Sequence, residues 1–96
     1  MSVDAKLRVL CYDVSCNRRR RRIAAALEGH ATRVQESVFE ARLGARLVDS
    51  IMRKVSGLMA DSDSFRVYTI GKSGERDCQV FGQGIPIERE ASYWLV

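Results

Sequence analysis

The sequence predicts one small domain of mixed α and β structure, and three observations support this. Residues 7–12 are almost continuously apolar, which is typical of a strand covered on both faces. Two later segments carry apolar residues every three or four positions, which is the period of a helix. At 96 residues, the chain is too short to divide into two domains that each bury a core.

The first strand is expected to end at Asp13, and a helix should follow it. Ser15, Cys16 and Asn17 stand at the start of this helix, and serine and asparagine are good N-cap residues. The helix should continue to residue 28, because Gly29 is typical of a helix C-terminus. We predict that its apolar stripe comprises Ile23, Ala26 and Leu27, with His30 at its end.

Residues 32–41 form the next strand-like segment. Their β-branched and aromatic residues indicate a strand, but apolar and polar residues alternate imperfectly along it. A β-bulge would explain the imperfect alternation, and so would a face that is covered by a partner chain. The sequence does not choose between these two explanations.

The clearest amphipathic helix of the chain covers residues 43–58. Its apolar residues are spaced by four, four, four and three positions, and they are Leu43, Leu47, Ile51, Val55 and Leu58. The polar residues 61–64 should form a turn, followed by a third strand at residues 65–70. Residues 71–74 are predicted to be a hairpin-like turn, and residues 78–81 a short fourth strand.

The order of these elements depends on the segment 32–41. Taken as one strand, it gives the order β-α-β-α-β-β, whereas two antiparallel halves would give the β-α-β-β-α-β order of a ferredoxin-like fold. The C-terminal residues 85–96 are aromatic and β-prone. We expect them either to complete this chain's own sheet or to pair with the sheet edge of a second copy.

Arginine dominates the basic residues of the chain. The net charge is +4, and the longest basic run consists of Arg18, Arg19, Arg20, Arg21 and Arg22. A helix start carries a partial positive charge, so each cation there costs roughly 0.3–1 kcal/mol. Local stability therefore does not explain this run. A polyphosphate chain would explain it, because guanidinium groups bind phosphate oxygens in a bidentate manner. The alternative is a solvated basic face without a partner.

Asp13 is the candidate metal ligand. A carboxylate at the end of a strand suits Mg²⁺ or Mn²⁺, which prefer oxygen ligands and use one or two protein carboxylates. The ordinary alternative is an aspartate that caps a turn. A two-fold dimer would bring a second Asp13 to the same ion.

The three cysteines contain no C-x-x-C pair, and a zinc site or disulfide framework is not expected. No membrane span or signal sequence is expected either, so we predict a cytoplasmic protein.

Two motifs and the arginine-rich helix start between them resemble the CRISPR-associated protein two family. The motifs are Tyr12-Asp13-Val14-Ser15 and Arg33-Val34-Gln35-Glu36-Ser37-Val38-Phe39-Glu40. The resemblance covers roughly residues 6–96, and the two motifs together are fairly specific. It implies an α+β, ferredoxin-like βαββαβ sandwich over residues 1–84. It also implies an extra C-terminal strand, residues 85–96, that pairs in a homodimer.

The same resemblance implies an activity and partners. The activity is that of a metal-dependent endonuclease acting on RNA or DNA, with Mg²⁺ or Mn²⁺ as cofactor. The partners are RNA or duplex DNA and the integrase subunit, CRISPR-associated protein one, in acquiring new spacers. The alternative function is a non-catalytic ferredoxin-like module that binds RNA or DNA or has a regulatory role.

The resemblance also assigns roles to individual residues. It implies that Asp13 binds the metal, once from each chain, with Tyr12 beside it. Arg20, Arg22 and Arg33 match basic positions near the nucleic acid, and the rest of the arginine run is expected to join them. Phe39 matches the motif aromatic, and packing is a commoner role for such a residue than base stacking.

Overall fold

The structure, a computed structural model, describes residues 5–87. Its elements are β1 (Lys6–Asp13), α1 (Asn17–Glu28), β2 (Thr32–Gln35), β3 (Val38–Leu43), α2 (Ala45–Ser56), β4 (Ser64–Ile70) and α3 (Lys72–Arg76). The segment 32–41 is therefore divided, with a turn at residues 36–37. This division confirms the ferredoxin-like βαββαβ order, to which α3 is added.

The four strands form one antiparallel sheet in the order β2-β3-β1-β4. One of the two inner strands is β1, whose Leu10 lies opposite Phe39 on β3 and Val67 on β4. The register between β2 and β3 shifts between Arg33 and Gln35. This irregularity accounts for the imperfect alternation of the segment.

The core lies between the sheet and the helices α1 and α2. The residues in it that are completely shielded from solvent are Leu10, Ile23, Leu27, Phe39 and Val55. The predicted stripe of α1 was partly wrong, because Ala24 is buried while Ala26 is only half-buried and His30 is exposed. Compared with the prediction, the helix is rotated so that the side carrying Arg20 turns toward the core. Hydrogen bonds from Arg20 to the loop after β1 fix this rotation.

The amphipathic helix predicted at residues 43–58 is present as α2, but its stripe differs at the start. Leu43 belongs to β3, and Gly44 precedes the helix. Leu47 is 36% exposed, and Val48 packs against the core in its place. Because the helix starts two residues later than predicted, its buried face follows Val48, Ile51 and Val55 instead. Within residues 5–87, none of the helices has the length and apolar character needed to cross a membrane.

The predictions for residues 71–81 were wrong. Residues 72–76 form the helix α3 instead of a hairpin-like turn, and residues 78–81 form no strand within the part of the chain described here. Glu75 explains this difference, because it is 2% exposed and pairs with Arg42 of β3. This contact with the sheet favours the helix. Residues 88–96 lie outside the described residues. The boundary after residue 84 and the dimer strand at 85–96 therefore stay predictions.

Candidate nucleic-acid interface

A groove of about 710 Å³ lies where β1 ends and α1 begins. We call it the strand-end groove. The end of β1, one side of α1 and the β2–β3 turn form its walls. It brings together five of the residues that the sequence singles out: Tyr12, Asp13, Arg20, Arg21 and Arg33. The two motifs, separated by about twenty residues in the chain, thus lie in one place.

Strand pairing explains why the motifs meet. The turn between β2 and β3 lies beside the end of β1, because the Tyr12 N–H donates a hydrogen bond to the Ser37 carbonyl at 3.1 Å. Within the hairpin, Arg33 lies directly opposite Phe39. On the other edge of β1, Asp13 pairs with Ser64, the first residue of β4. The end of β1 is therefore held from both sides, and the Asp13 side chain is exposed there.

The Asp13 carboxylate is unengaged within residues 5–87, where it makes no side-chain hydrogen bond or ion pair. It does not cap α1, because Cys16 occupies the N-cap position, and the helix has no side-chain capping hydrogen bond. This geometry argues against the capping alternative for Asp13. Both carboxylate oxygens remain available to a metal ion or to metal-bound water.

Asp13 fits one kind of metal site and not another. Within residues 5–87, no three histidine, cysteine, aspartate or glutamate side chains lie close enough together to hold a metal ion. A closed cage made from one chain is therefore not formed by the described residues. An exposed single carboxylate suits Mg²⁺ or Mn²⁺ held mainly by water and phosphate oxygens.

Arg19 points away from the strand-end groove. Its Nε donates to Asp63 Oδ2 at 2.7 Å, and its Nη2 donates to Asp63 Oδ1 at 3.2 Å. Asp63 lies in the turn before β4, and its side chain is only 1% exposed. The Arg19 guanidinium and the Ala60 amide hold the pKa of the Asp63 carboxyl below its ordinary value. Arg19 is thus engaged inside the protein.

Arg20 lines the groove but also has internal partners. Its Nη1 donates to the carbonyl oxygens of Val14 at 2.8 Å and of Ser15 at 3.2 Å. These bonds fix the loop that follows Asp13. The other three members of the run, Arg18, Arg21 and Arg22, are exposed and make no side-chain hydrogen bond or ion pair with the described residues.

Arg33 sits in a small network beside the groove. Its guanidinium carbon lies 5.3 Å from the centroid of the Phe39 ring, and its Nη2 donates to the Tyr12 hydroxyl at 3.3 Å. That hydroxyl donates to the Glu36 carbonyl at 3.2 Å. The bond to Tyr12 raises the pKa of Arg33. Glu28 Oε1 lies 3.8 Å from Arg33 Nη1, at the edge of ion-pair distance.

The two aromatic residues of the motifs support the groove from below. Phe39 is fully buried and Tyr12 is 7% exposed, and their ring centroids lie 6.3 Å apart. A buried ring has no face to offer to a base, so Phe39 acts through packing and through the cation–π contact with Arg33. This position agrees with the packing role that is commoner for such a residue.

Asp63 was not identified as a functional residue from the sequence, where it was assigned only to a turn. A signal for it exists: Arg19 follows the helical period of Ile23 and Leu27, and an arginine on the core side of a helix needs a hydrogen-bond acceptor of the protein, such as a carboxylate. Cys16 was considered only as a possible cap, without chemistry of its own. The nearby backbone amides of Arg19 and Arg18 lower the pKa of its thiol.

Known proteins resemble this chain over most of its length. The family model of CRISPR associated protein Cas2 matches residues 6–77. CRISPR-associated endoribonuclease Cas2 1 of Chloroflexus aurantiacus is 32% identical over 90 residues, covering 92% of this chain and 97% of that protein. The crystal structure of the hypothetical protein TT1823 from Thermus thermophilus matches with a TM-score of 0.77 and 31% identity, covering 88% of this chain and 99% of that one.

A further solved structure shares the fold at lower identity. It is described as a partial Cas6-RT-Cas1–Cas2 complex, and one of its chains matches with a TM-score of 0.74 and 23% identity, covering 88% of this chain and 93% of that chain. The family model spans three quarters of the chain and includes both motifs and the whole arginine run. The chain therefore belongs to the CRISPR-associated protein Cas2 family.

Proposed function

We propose that this chain is a CRISPR adaptation subunit that hydrolyses phosphodiester bonds in RNA or DNA with a divalent metal ion. One observation carries the proposal: the unengaged Asp13 carboxylate shares a groove with Arg21 and Arg33. Cations that bind phosphate and a carboxylate that binds metal are the two requirements of metal-assisted phosphodiester hydrolysis. The endoribonuclease name of the Chloroflexus relative supports the same reaction.

Each group of the site has a distinct role in this proposal. Mg²⁺ or Mn²⁺, when bound at Asp13, would neutralise phosphate charge and lower the pKa of a bound water. Arg21 and Arg33 contact the non-bridging phosphate oxygens, and Arg18 and Arg22 extend the basic surface along the nucleic-acid backbone. Arg20 holds the loop after Asp13 at a fixed distance from α1. The structure of the groove thus orients the backbone before the reaction.

A homodimer is part of the proposal, because one Asp13 is few ligands for a metal ion. The sheet has a second face, away from α1 and α2, that presents Val9, Cys11 and Tyr68. Tyr68 is 49% exposed, and the other two are partly exposed. A second copy packed on this face, with residues 85–96 pairing across the interface, would bury it and contribute a second Asp13.

We also infer a protein partner and a location. The complex described as Cas6-RT-Cas1–Cas2 contains a Cas1 chain beside the Cas2 chain that shares this fold. We propose the corresponding integrase subunit as the partner of this chain in spacer acquisition. The dimer would hold the nucleic acid while the integrase subunit inserts a new spacer. We propose that this work takes place in the cytoplasm.

The test is Mg²⁺-dependent cleavage of single-stranded RNA and of duplex DNA. We expect Asp13→Ala to lower the cleavage rate by about 100-fold or more, because the metal supplies several kcal/mol of transition-state stabilisation. The matched control is Asp61→Ala, which removes an exposed aspartate outside the groove. Equal cleavage by Asp13→Ala and the wild type would exclude the metal role of Asp13.

The second candidate function is a non-catalytic module that binds RNA or DNA. The observation that favours it is that Asp13 belongs to no group of three or more metal-ligating side chains within residues 5–87. In this case the arginines bind the nucleic-acid backbone, and Asp13 has only a structural role. One outcome distinguishes the two candidates. If the wild type binds nucleic acid strongly and in a salt-dependent manner but shows no Mg²⁺-dependent cleavage, the chain is a non-catalytic binding module.

A further inference from the structure

Asp63 holds a nearly buried carboxylate against the start of α1. Two donors of the Arg19 fork reach it at 2.7 and 3.2 Å, and the Ala60 backbone N–H reaches it at 2.9 Å. Three N–H groups therefore converge on a side chain that is 1% exposed. Bidentate pairs of this kind fix orientation as well as distance.

The first turn of α1 needs such a partner. It contains no acidic residue, its N-cap side chain makes no hydrogen bond to it, and four of its first five positions are arginines. The partial positive charge of a helix start disfavours such a turn. Asp63 supplies, from a different element, the negative charge that this turn lacks.

The position of Asp63 connects the helix start to the strand that carries Asp13. Asp63 directly precedes β4, and the first residue of β4, Ser64, is the register partner of Asp13. The first turn of α1 is thus attached at two points. Arg19 binds the turn before β4, and Arg20 binds the loop after β1.

We propose that Asp63 is a positioning residue of this site. Through Arg19, it fixes the first turn of α1 and thereby sets where the neighbouring arginines stand relative to Asp13. Neither Asp63 nor Arg19 contacts the nucleic acid in this arrangement. The inference rests on the proposed function for its effect on cleavage, and on the geometry alone for its effect on the helix.

Asp63→Asn tests the proposal, with Asp61→Asn as the matched control. Both variants remove one negative charge from the same turn, and Asp61 is exposed and does not contact Arg19. If charge alone mattered, both variants would bind nucleic acid more tightly. Positioning predicts instead that Asp63→Asn lowers kcat for Mg²⁺-dependent cleavage by about 10- to 100-fold, whereas Asp61→Asn keeps the wild-type rate.

Arg19→Gln provides a second route to the same contact. We expect it to lower cleavage to the level of Asp63→Asn, and the double variant to be no worse than either single variant, since all three lack one interaction. The slope of log K against log salt for duplex DNA should stay at the wild-type value in Arg19→Gln. A slope that flattens by about 0.9 would mean that Arg19 contacts phosphate, and it would overturn the proposal.

Amide hydrogen exchange separates this inference from the proposed function. The Arg20 N–H donates to the Cys16 carbonyl at 2.9 Å, and its protection reports on the first turn of α1. We expect this protection to fall in Asp63→Asn and Arg19→Gln but not in Asp61→Asn. If the wild type neither cleaves nor binds, the proposed function fails while lost protection still supports positioning. Unchanged protection, or Asp63→Asn cleaving like Asp61→Asn, overturns the positioning role.

Discussion

At the scale of single residues, the arginine run contains two kinds of side chain. Arg19 and Arg20 bind acceptors of the protein itself, the Asp63 carboxylate and the carbonyls of the β1–α1 loop. Arg18, Arg21 and Arg22 are exposed, and their guanidinium groups have no partner among the described residues. The cost of placing cations at a helix start is therefore offset internally for two of them, and in the proposed function a polyanion offsets it for the other three.

The Asp63 pair makes a prediction about pH. The folded-state pKa of Asp63 lies below its unfolded value of about 3.9, so the pair contributes stability above that pH and loses it as the pH falls through the folded value. We expect the urea midpoint of the wild type to exceed that of Asp63→Asn at pH 7, and we expect the difference to shrink as the pH falls below the ordinary pKa of an aspartate. A difference between the two midpoints that persists at low pH would contradict this assignment.

Predictability at the residue scale differs between Asp13 and Asp63. Asp13 can be found from the sequence because it follows an apolar strand and stands in a motif. The role of Asp63 arises only when the turn before β4 meets α1, and that contact joins residues 44 positions apart. Local sequence patterns place Arg19 on the core side of α1, but they do not show which distant group it meets. The sequence thus identifies the groups that line the groove but not the group that holds them.

At the scale of elements, periodicity predicts those whose contacts are local or repeated. β1, α1, α2 and β4 all lie near their expected bounds, because a core face imposes a period of two or 3.6 residues. Residues 32–41 have no clean period, since a bulge at residues 33–35 interrupts β2. The family resemblance, and not the periodicity, gives the correct division into two strands.

The helix α3 was missed because tertiary contacts of its buried Glu75 favour it. Its five residues, Lys72–Arg76, contain a glycine and no apolar stripe, which locally favours a turn. The ion pair between the buried Glu75 and Arg42 overrides that preference. The same pair attaches the C-terminal part of the described chain to β3.

This attachment predicts a large effect of Glu75→Ala. Removing a buried carboxylate that pairs with an arginine should lower the free energy of unfolding by about 3 kcal/mol, because the largely buried Arg42 guanidinium loses this ion pair. Urea denaturation measures this change. Glu36→Ala, at an exposed position in the β2–β3 turn, is the control and should change stability by less than about 0.5 kcal/mol. A similar small change in Glu75→Ala would show that α3 is not held by this pair.

At the scale of the whole molecule, the sheet has two faces with different tasks. The face toward α1 and α2 contains the core, and the edge of that layer carries the strand-end groove. The opposite face keeps Tyr68 about half exposed, and the segment after α3 leaves Phe81 87% exposed. This distribution supports a proposed dimer that buries the second face and brings two grooves onto one length of nucleic acid.

A salt titration of duplex DNA binding tests the central claim most directly. Each phosphate that a guanidinium group neutralises adds about −0.9 to the slope of log K against log salt. We expect a variant with Arg18, Arg21 and Arg22 changed to glutamine to have a flatter slope, by about 0.9 for each phosphate that is no longer neutralised, while Arg19→Gln keeps the wild-type slope. A triple variant with an unchanged slope would place the phosphate-binding surface elsewhere and contradict the account.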